Sequence, residues 1–372
     1  MGYSTRHTEL SSVFNPDLRE ISLPGSGIRI INTGFVSDSV SGDFFSGSDY
    51  SISENTTFSY PVFVPAGKGS RKAILLLHGL NERSWDKYLA WAYCLAEMTD
   101  SYVIMFPISF HINRSPVSWK DPRSMLRFLK EKAVTRGEVR NSSFANIALS
   151  NRLSDDPRRF LKSGYQTVYD LVKLMKQIKD GRHPFIPAGS AVNLFAYSIG
   201  AFLAEIIMMA NPDELFSGSK LFMFCGGSVF SNMHGESRLI MDKLAYEKVY
   251  SYYMEKFEAE IEGQGSVIDH LVSGRIGMAF RSMIDLSRFK NAREKALNSL
   301  EDRIYSIGLR KDTVIPAEGI VMTLNKDCRV EVFDFRHDYT HENPFPVVNN
   351  NGRSEVDRSF EKVFEPACRF LS

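Results

Sequence analysis

Residues 192–210 read VNLFAYSIGAFLAEIIMMA, an almost unbroken apolar stretch with one serine, Ser198, near its centre. Its length alone would suit a bilayer span. Ser198 and Glu205 within it, and the lack of a positive flank, argue against that. The simpler reading is a buried strand, VNLFAY, that turns at Ser198 into a buried helix. A strand-to-helix turn this sharp needs small residues two places before and two after the serine, and Ala196 and Gly200 stand there. The hydroxyl then projects above the sheet, and the amides and positive dipole end at the helix start face any negative charge that develops beside it. A serine hydroxyl is a poor nucleophile without a base, so the rest of the chain must supply one.

Further strands and helices alternate outward from this stretch. Upstream, KAILLLHG is an apolar run ending in His78-Gly79, followed at helical spacing by RSWDKYLAWAYCLAEM and then by the short strand SYVIMFP. GIRIINTGFV and TTFSYPVFVPAG, in residues 1–70, read as edge strands and turns. RSMLRFLKEKAV and YQTVYDLVKLMKQI have helical periods. Downstream, KLFMFCG reads as a strand and residues 231–300 as helices. RIYSIGLR, GIVMTLN and CRVEVFDF read as the last three strands, and SEVDRSFEKVFEPACRF as a closing helix. Strand and helix in this order predict an α/β fold with a mostly parallel central sheet flanked by helices.

Composition narrows the class. With 43% apolar and 24% charged residues, the chain is neither disordered nor fibrous. Its 45 Lys and Arg balance 44 Asp and Glu, so no global charge attracts nucleic acid. Cys94, Cys225, Cys328 and Cys368 are far apart and form no CxxC pair, which suits a reducing compartment. MGYSTRHTEL has no apolar h-region, so a cytoplasmic protein without a secretory signal is expected. There is no HExxH, and Gly67 and Gly69 make no phosphate-binding fingerprint, so neither a metal nor an organic cofactor is expected.

Ala196-Tyr197-Ser198-Ile199-Gly200 stands where the α/β-hydrolase superfamily carries Gly-x-Ser-x-Gly, and from about Ala73 to Pro346 the chain resembles the serine esterase and lipase-like branch of that superfamily. The resemblance implies a single α/β-hydrolase domain over residues 1–372, with an N-terminal strand extension and two insertions: 107–162, and a helical lid at 231–300. It implies an oxyanion hole from the backbone N–H groups of Leu80, after His78-Gly79, and of Ile199. His78 is then a structural residue of its loop. Asp312, following RIYSIGLR, matches the family's acid position, and the base comes from the loop after the last strand. Two histidines compete there. His341, in His-Glu-Asn-Pro-Phe, is the preferred base and His337 the alternative.

The expected activity is hydrolysis of a carboxylic ester through an acyl-enzyme, by Ser198, Asp312 and His341. An amidase or peptidase would use the same three residues, and a non-catalytic scaffold would keep the fold without the chemistry. Residues 107–162 hold 12 Lys and Arg against 5 Asp and Glu, an excess of +7 that suggests an anionic small-molecule ester. His111, Arg114 and Tyr197 are the expected substrate contacts. Tyr246, Tyr250, Tyr252, Tyr253, Phe257 and Phe280 would line an acyl pocket or form the lid's own core. No nucleic-acid or membrane partner is expected, and a homodimer is left open.

Overall fold

The computed structural model describes residues 2–23, 25–38, 49, 51–67, 69–262, 272–324, 328–347 and 352–372. Among the described residues, nine strands form one sheet: β1 (Glu20–Ser22), β2 (Arg29–Val36), β3 (Thr57–Val64), β4 (Lys72–Leu77), β5 (Tyr102–Met105), β6 (Ala191–Tyr197), β7 (Leu221–Phe224), β8 (Ile304–Leu309) and β9 (Arg329–Phe333). They lie in the order β1-β2-β3-β5-β4-β6-β7-β8-β9. The pairs from β5 to β9 are all parallel, while β1, β2 and β3 join antiparallel. This mixed, mostly parallel sheet covered by helices is the α/β-hydrolase arrangement.

Alternation of side chains divides the core. Leu75, Leu77, Leu194 and Ala196 face one way, against the helices Arg159–Lys179 and Ile199–Ala210. Ile74, Leu76, Phe195 and Tyr197 face the other way, against the helices Asp86–Thr99 and Arg353–Leu371. The central strands are buried on both faces, which is why they read as continuous apolar runs.

Register brings the strand ends together. Leu77 is paired with Ala196, Tyr197 with Phe224, Phe224 with Ile307 and Leu309 with Phe333. The residues that follow these ends, including Gly79, Ser198, Cys225 and Asp312, therefore share the carboxyl edge of the sheet, where ligands bind in open α/β folds.

Two elements differ from expectation. GIVMTLN is not a strand: Ala317–Leu324 is a helix, started by Gly319 and Ile320 N–H donating to Pro316 O. Ile320 and Leu324 are buried one turn apart while Val321 and Met322 are exposed, a helical pattern hidden in a short apolar run. The N-terminus is also helical, over Tyr3–Val13. Asp357 Oδ1 accepts from Ser4 N–H and Oγ–H, both at 2.8 Å, and Tyr3 stacks on Phe360. Among the described residues, no helix is long and apolar enough to cross a membrane, and no disulfide joins the four cysteines.

Candidate active site

Ser198 sits at the junction of β6 and the helix Ile199–Ala210, with φ 58° and ψ −124°. That is a sparsely populated conformation for any L-residue, and surrounding structure must hold it. Ser198 N–H donates to Phe224 O and Ala201 N–H to Ser198 O. Gly200 is required by contact: a Cβ there would lie 2.7 Å from both Leu77 O and His78 O.

His341 Nε2 lies 2.7 Å from Ser198 Oγ, and His341 Nδ1 lies 2.7 Å from Asp312 Oδ2. Asp312 Oδ1 accepts from the backbone N–H groups of Val314 and Ile315 at 2.9 and 2.8 Å. The three carboxylate contacts and the serine are buried, so water does not compete for them. Because a carboxylate only accepts, His341 Nδ1 carries the proton and Nε2 is left as the acceptor for the Ser198 hydroxyl. These three side chains form a Ser-His-Asp triad.

Tyrosines hold the base in place. Tyr197 donates its hydroxyl to the His341 carbonyl, and its ring stacks on the imidazole at 5.5 Å. Tyr339 donates to Asp334 and accepts from Lys311 N–H, tying the acid and base loops together. The Tyr197 hydroxyl is thus engaged in positioning His341, while the residue also lines the cleft beside Ser198. His337 is not the base, since its Nε2 lies 3.0 Å from Pro344 O and its ring stacks on Phe335. His78 is structural as expected: Nδ1 lies 2.8 Å from Gly79 O, and Nε2 accepts from Ile108 N–H. Burial pushes its pKa down to about 3.

Sequence reasoning overlooked Cys225. Its Sγ, a ring nitrogen of His341 and a carboxylate oxygen of Asp312 lie within 4.8 Å of one another. Carboxylate and imidazole already bond each other at 2.7 Å, so the trio belongs to the triad more naturally than to a metal centre. Burial and the Asp312 charge push the Cys225 thiol well up, keeping it protonated. The available signal was its place immediately after β7, beside the nucleophile strand.

With this triad on this sheet, family membership can be stated. The chain belongs to the family described as "Family of unknown function (DUF6051)", matched over residues 10–372. No curated protein matches it. Among solved structures it is similar to a PEG-bound, cold-adapted esterase from an Arctic intertidal metagenomic library, at 10% identity over 96% of this chain and 98% of that one, TM-score 0.41. It is similar to EstE1, a thermostable carboxylesterase cloned from a metagenomic library, at 11% identity over 100% and 95%, TM-score 0.44. It is likewise similar to the peroxisomal α/β-hydrolase Lpx1 of Saccharomyces cerevisiae, at 11% identity over 92% and 90%, TM-score 0.43.

Two spaces open on the nucleophile and a third adjoins them. A cleft of about 230 Å³ touches Ser198 and His341 and is lined by Asn81, Glu82, Lys87 and Glu342. A small apolar niche touches Ser198, Phe230, Met233, Met241 and Val314. A second apolar cavity, about 70 Å³, shares Leu80, Phe160 and Ile199 with that niche and extends past Phe202 and Phe280. Tyr246 lines the niche and Phe280 the cavity, whereas Tyr253 and Phe257 are fully enclosed core. Among the described residues, neither the Leu80 nor the Ile199 N–H is donated to any acceptor.

Arg114 does not meet a substrate. It is fully buried, ion-paired to Asp170 at 2.7 Å, and donates to Pro107 O and Asn55 O. Part of the positive excess around it is similarly engaged. Lys132 pairs with Asp242, Arg140 with Glu236, Arg152 and Arg159 with Asp49, and Arg158 with Asp156. None of the Lys or Arg of residues 107–162 lines the cleft at Ser198 and His341. The charged groups that line it come from elsewhere: Glu82, Arg83, Lys87 and Glu342.

Proposed function

We propose that this chain hydrolyses small carboxylic esters that join a short apolar acyl group to a polar alcohol, through a Ser198 acyl-enzyme. The observation that carries the reading is the continuous, buried relay from Ser198 Oγ through His341 to Asp312. As Oγ attacks the ester carbonyl, its proton passes to His341 Nε2, and Asp312 stabilises the imidazolium through the Nδ1–H bond. The carbonyl oxygen becomes an oxyanion, and the undonated N–H groups of Leu80 and Ile199 suit it, the latter at a helix start. The C–O bond to the alcohol then breaks, and the alcohol leaves with the proton from Nε2. Water repeats the sequence on the acyl-enzyme, releasing the acid and restoring the serine.

Proton delivery also assigns the two arms of the ester. The leaving oxygen must stand beside His341 Nε2, and the cleft that His341 lines carries Asn81, Glu82, Lys87 and Glu342. The niche and the cavity at Leu80 and Ile199 lack His341 and are walled mainly by apolar side chains, which supports an apolar acyl group there. Residues 231–300, of which 263–271 lie outside the described residues, contribute Met233, Met241 and Tyr246 to that niche and serve as its cover.

The test is a panel of esters and amides with acyl chains of two to twelve carbons. Short-chain esters should be cleared, and Ser198→Ala should lower the rate by about three orders of magnitude or more. Clearance of amides with esters untouched would overturn the ester reading, and undiminished activity of Ser198→Ala would overturn the mechanism.

A further inference from the structure

His111 is buried beside the acyl cavity with one ring nitrogen unused. Its Nδ1 lies 2.9 Å from Ser109 O, and since a carbonyl only accepts, Nδ1 carries the ring proton. Burial, with the nearby His78 adding to it, pushes the pKa of the ring down to about 3. The neutral ring therefore presents Nε2 as a bare acceptor. Nε2 is enclosed, and among the described residues nothing donates to it. A buried acceptor without a partner is destabilising, and a ligand that supplies a donor recovers that loss.

The same side chain is part of the wall of the cavity that reaches Leu80 and Ile199. Most of that wall is apolar, through Ile108, Phe110, Leu149, Phe160, Phe202 and Phe280. The two arginines that border it, Arg152 and Arg159, are both held on Asp49, at 2.6 and 2.9 Å. A donor entering along the acyl chain would thus find His111 Nε2 as an uncharged, unengaged acceptor in apolar surroundings, where a hydrogen bond discriminates most strongly.

Resting on the ester reading above, we infer that His111 is a specificity-determining residue that accepts a hydrogen bond from a hydroxyl or N–H group on the acyl chain of the substrate. The preferred substrate class is then an ester of a short hydroxylated or N-substituted acid. His111 also borders a recess lined by Asn81, Glu82, Arg83 and Trp119.

Binding to Ser198→Ala protein separates this inference from turnover. Methyl hexanoate is compared by calorimetry with its 2-, 3-, 4- and 5-hydroxy derivatives. At least one hydroxy ester should bind about fivefold more tightly than methyl hexanoate. Adding His111→Asn, which can still donate to Ser109 O but places nothing at the Nε2 position, should abolish that difference. Adding His111→Gln, whose Oε1 reaches the Nε2 position, should retain it, and loss in Asn with retention in Gln is not produced by a collapsed fold. Equal binding of all five esters, or a difference that survives in His111→Asn, would overturn the inference. Wild-type protein that cleaves all five equally would leave the ester reading standing and this one refuted. Preferential binding without any cleavage by wild type would do the reverse.

Discussion

Two acidic side chains near the nucleophile have opposite surroundings. Asp312 accepts from two backbone N–H groups and from His341, so its charge is fully solvated by the protein. Glu205, on the nucleophile helix, is fully buried, and neither carboxyl oxygen has a partner among the described residues. Burial raises its pKa well above the ordinary glutamate value, so it stays protonated in the folded protein. Below the unfolded-state pKa both states hold the proton and pH makes no difference. As pH rises past about 4.3, the unfolded chain releases its proton while the folded chain keeps it, and stability falls by up to about 1.4 kcal/mol per pH unit until the folded pKa is reached. Glu205→Gln keeps the shape and cannot titrate. Its urea midpoint relative to wild type should therefore rise between pH 5 and pH 8, and a constant difference across that range would show that Glu205 has the same pKa folded and unfolded.

At the scale of elements, legibility followed the strands. β4 to β8 are short, largely buried runs flanked by turn residues, and the position of Ser198, Asp312 and His341 just past strand ends could be read from order alone. Which way a side chain leaves a loop could not. Arg114 follows a strand end closely yet turns inward to Asp170, a residue of the helix Arg159–Lys179. The helix Tyr3–Val13 was hidden for a related reason: only Tyr3, Ser4 and Leu10 are buried, and its anchors lie on the helix Arg353–Leu371 at the far end of the chain. The elbow is where local sequence and packing agree most closely, and it yields a sharp expectation. Gly200→Ala would set a methyl 2.7 Å from two backbone carbonyl oxygens at the end of β4, which cannot rotate away as a side chain would. It should lower stability by about 3 kcal/mol and displace Ser198 from His341. Gly164→Ala, in the helix Arg159–Lys179, meets only Leu203 Cδ1 at 4.0 Å and should be neutral or stabilising. Thermal melts of the two variants check the pair, and equal melting temperatures would refute the steric account.

Over the whole molecule, the charge pattern of residues 107–162 has a structural explanation. Lys132 reaches Asp242 at 2.6 Å inside the protein, and Arg140 holds Glu236 through two bonds of 2.6 and 2.7 Å. Asn146 donates to Ser237 O, and Lys248 to Ser154 O. These contacts join residues 107–162 to residues 231–300, so part of the basic excess of one segment is matched by acids of the other and by Asp49 and Asp170. Charges paired within a few ångströms contribute little field to steer a ligand from solution. An anionic and a neutral ester of equal acyl length should consequently lose rate in parallel as salt is raised from about 20 to about 300 mM, a range over which screening would weaken any long-range attraction. The measurement is the ratio of kcat/KM for the two esters along that series. A ratio that falls steeply with salt would mean that the exposed positive groups Lys120, Arg123, Lys130 and Arg136 act at the cleft after all, and a flat ratio leaves selectivity to the cavity beside His111.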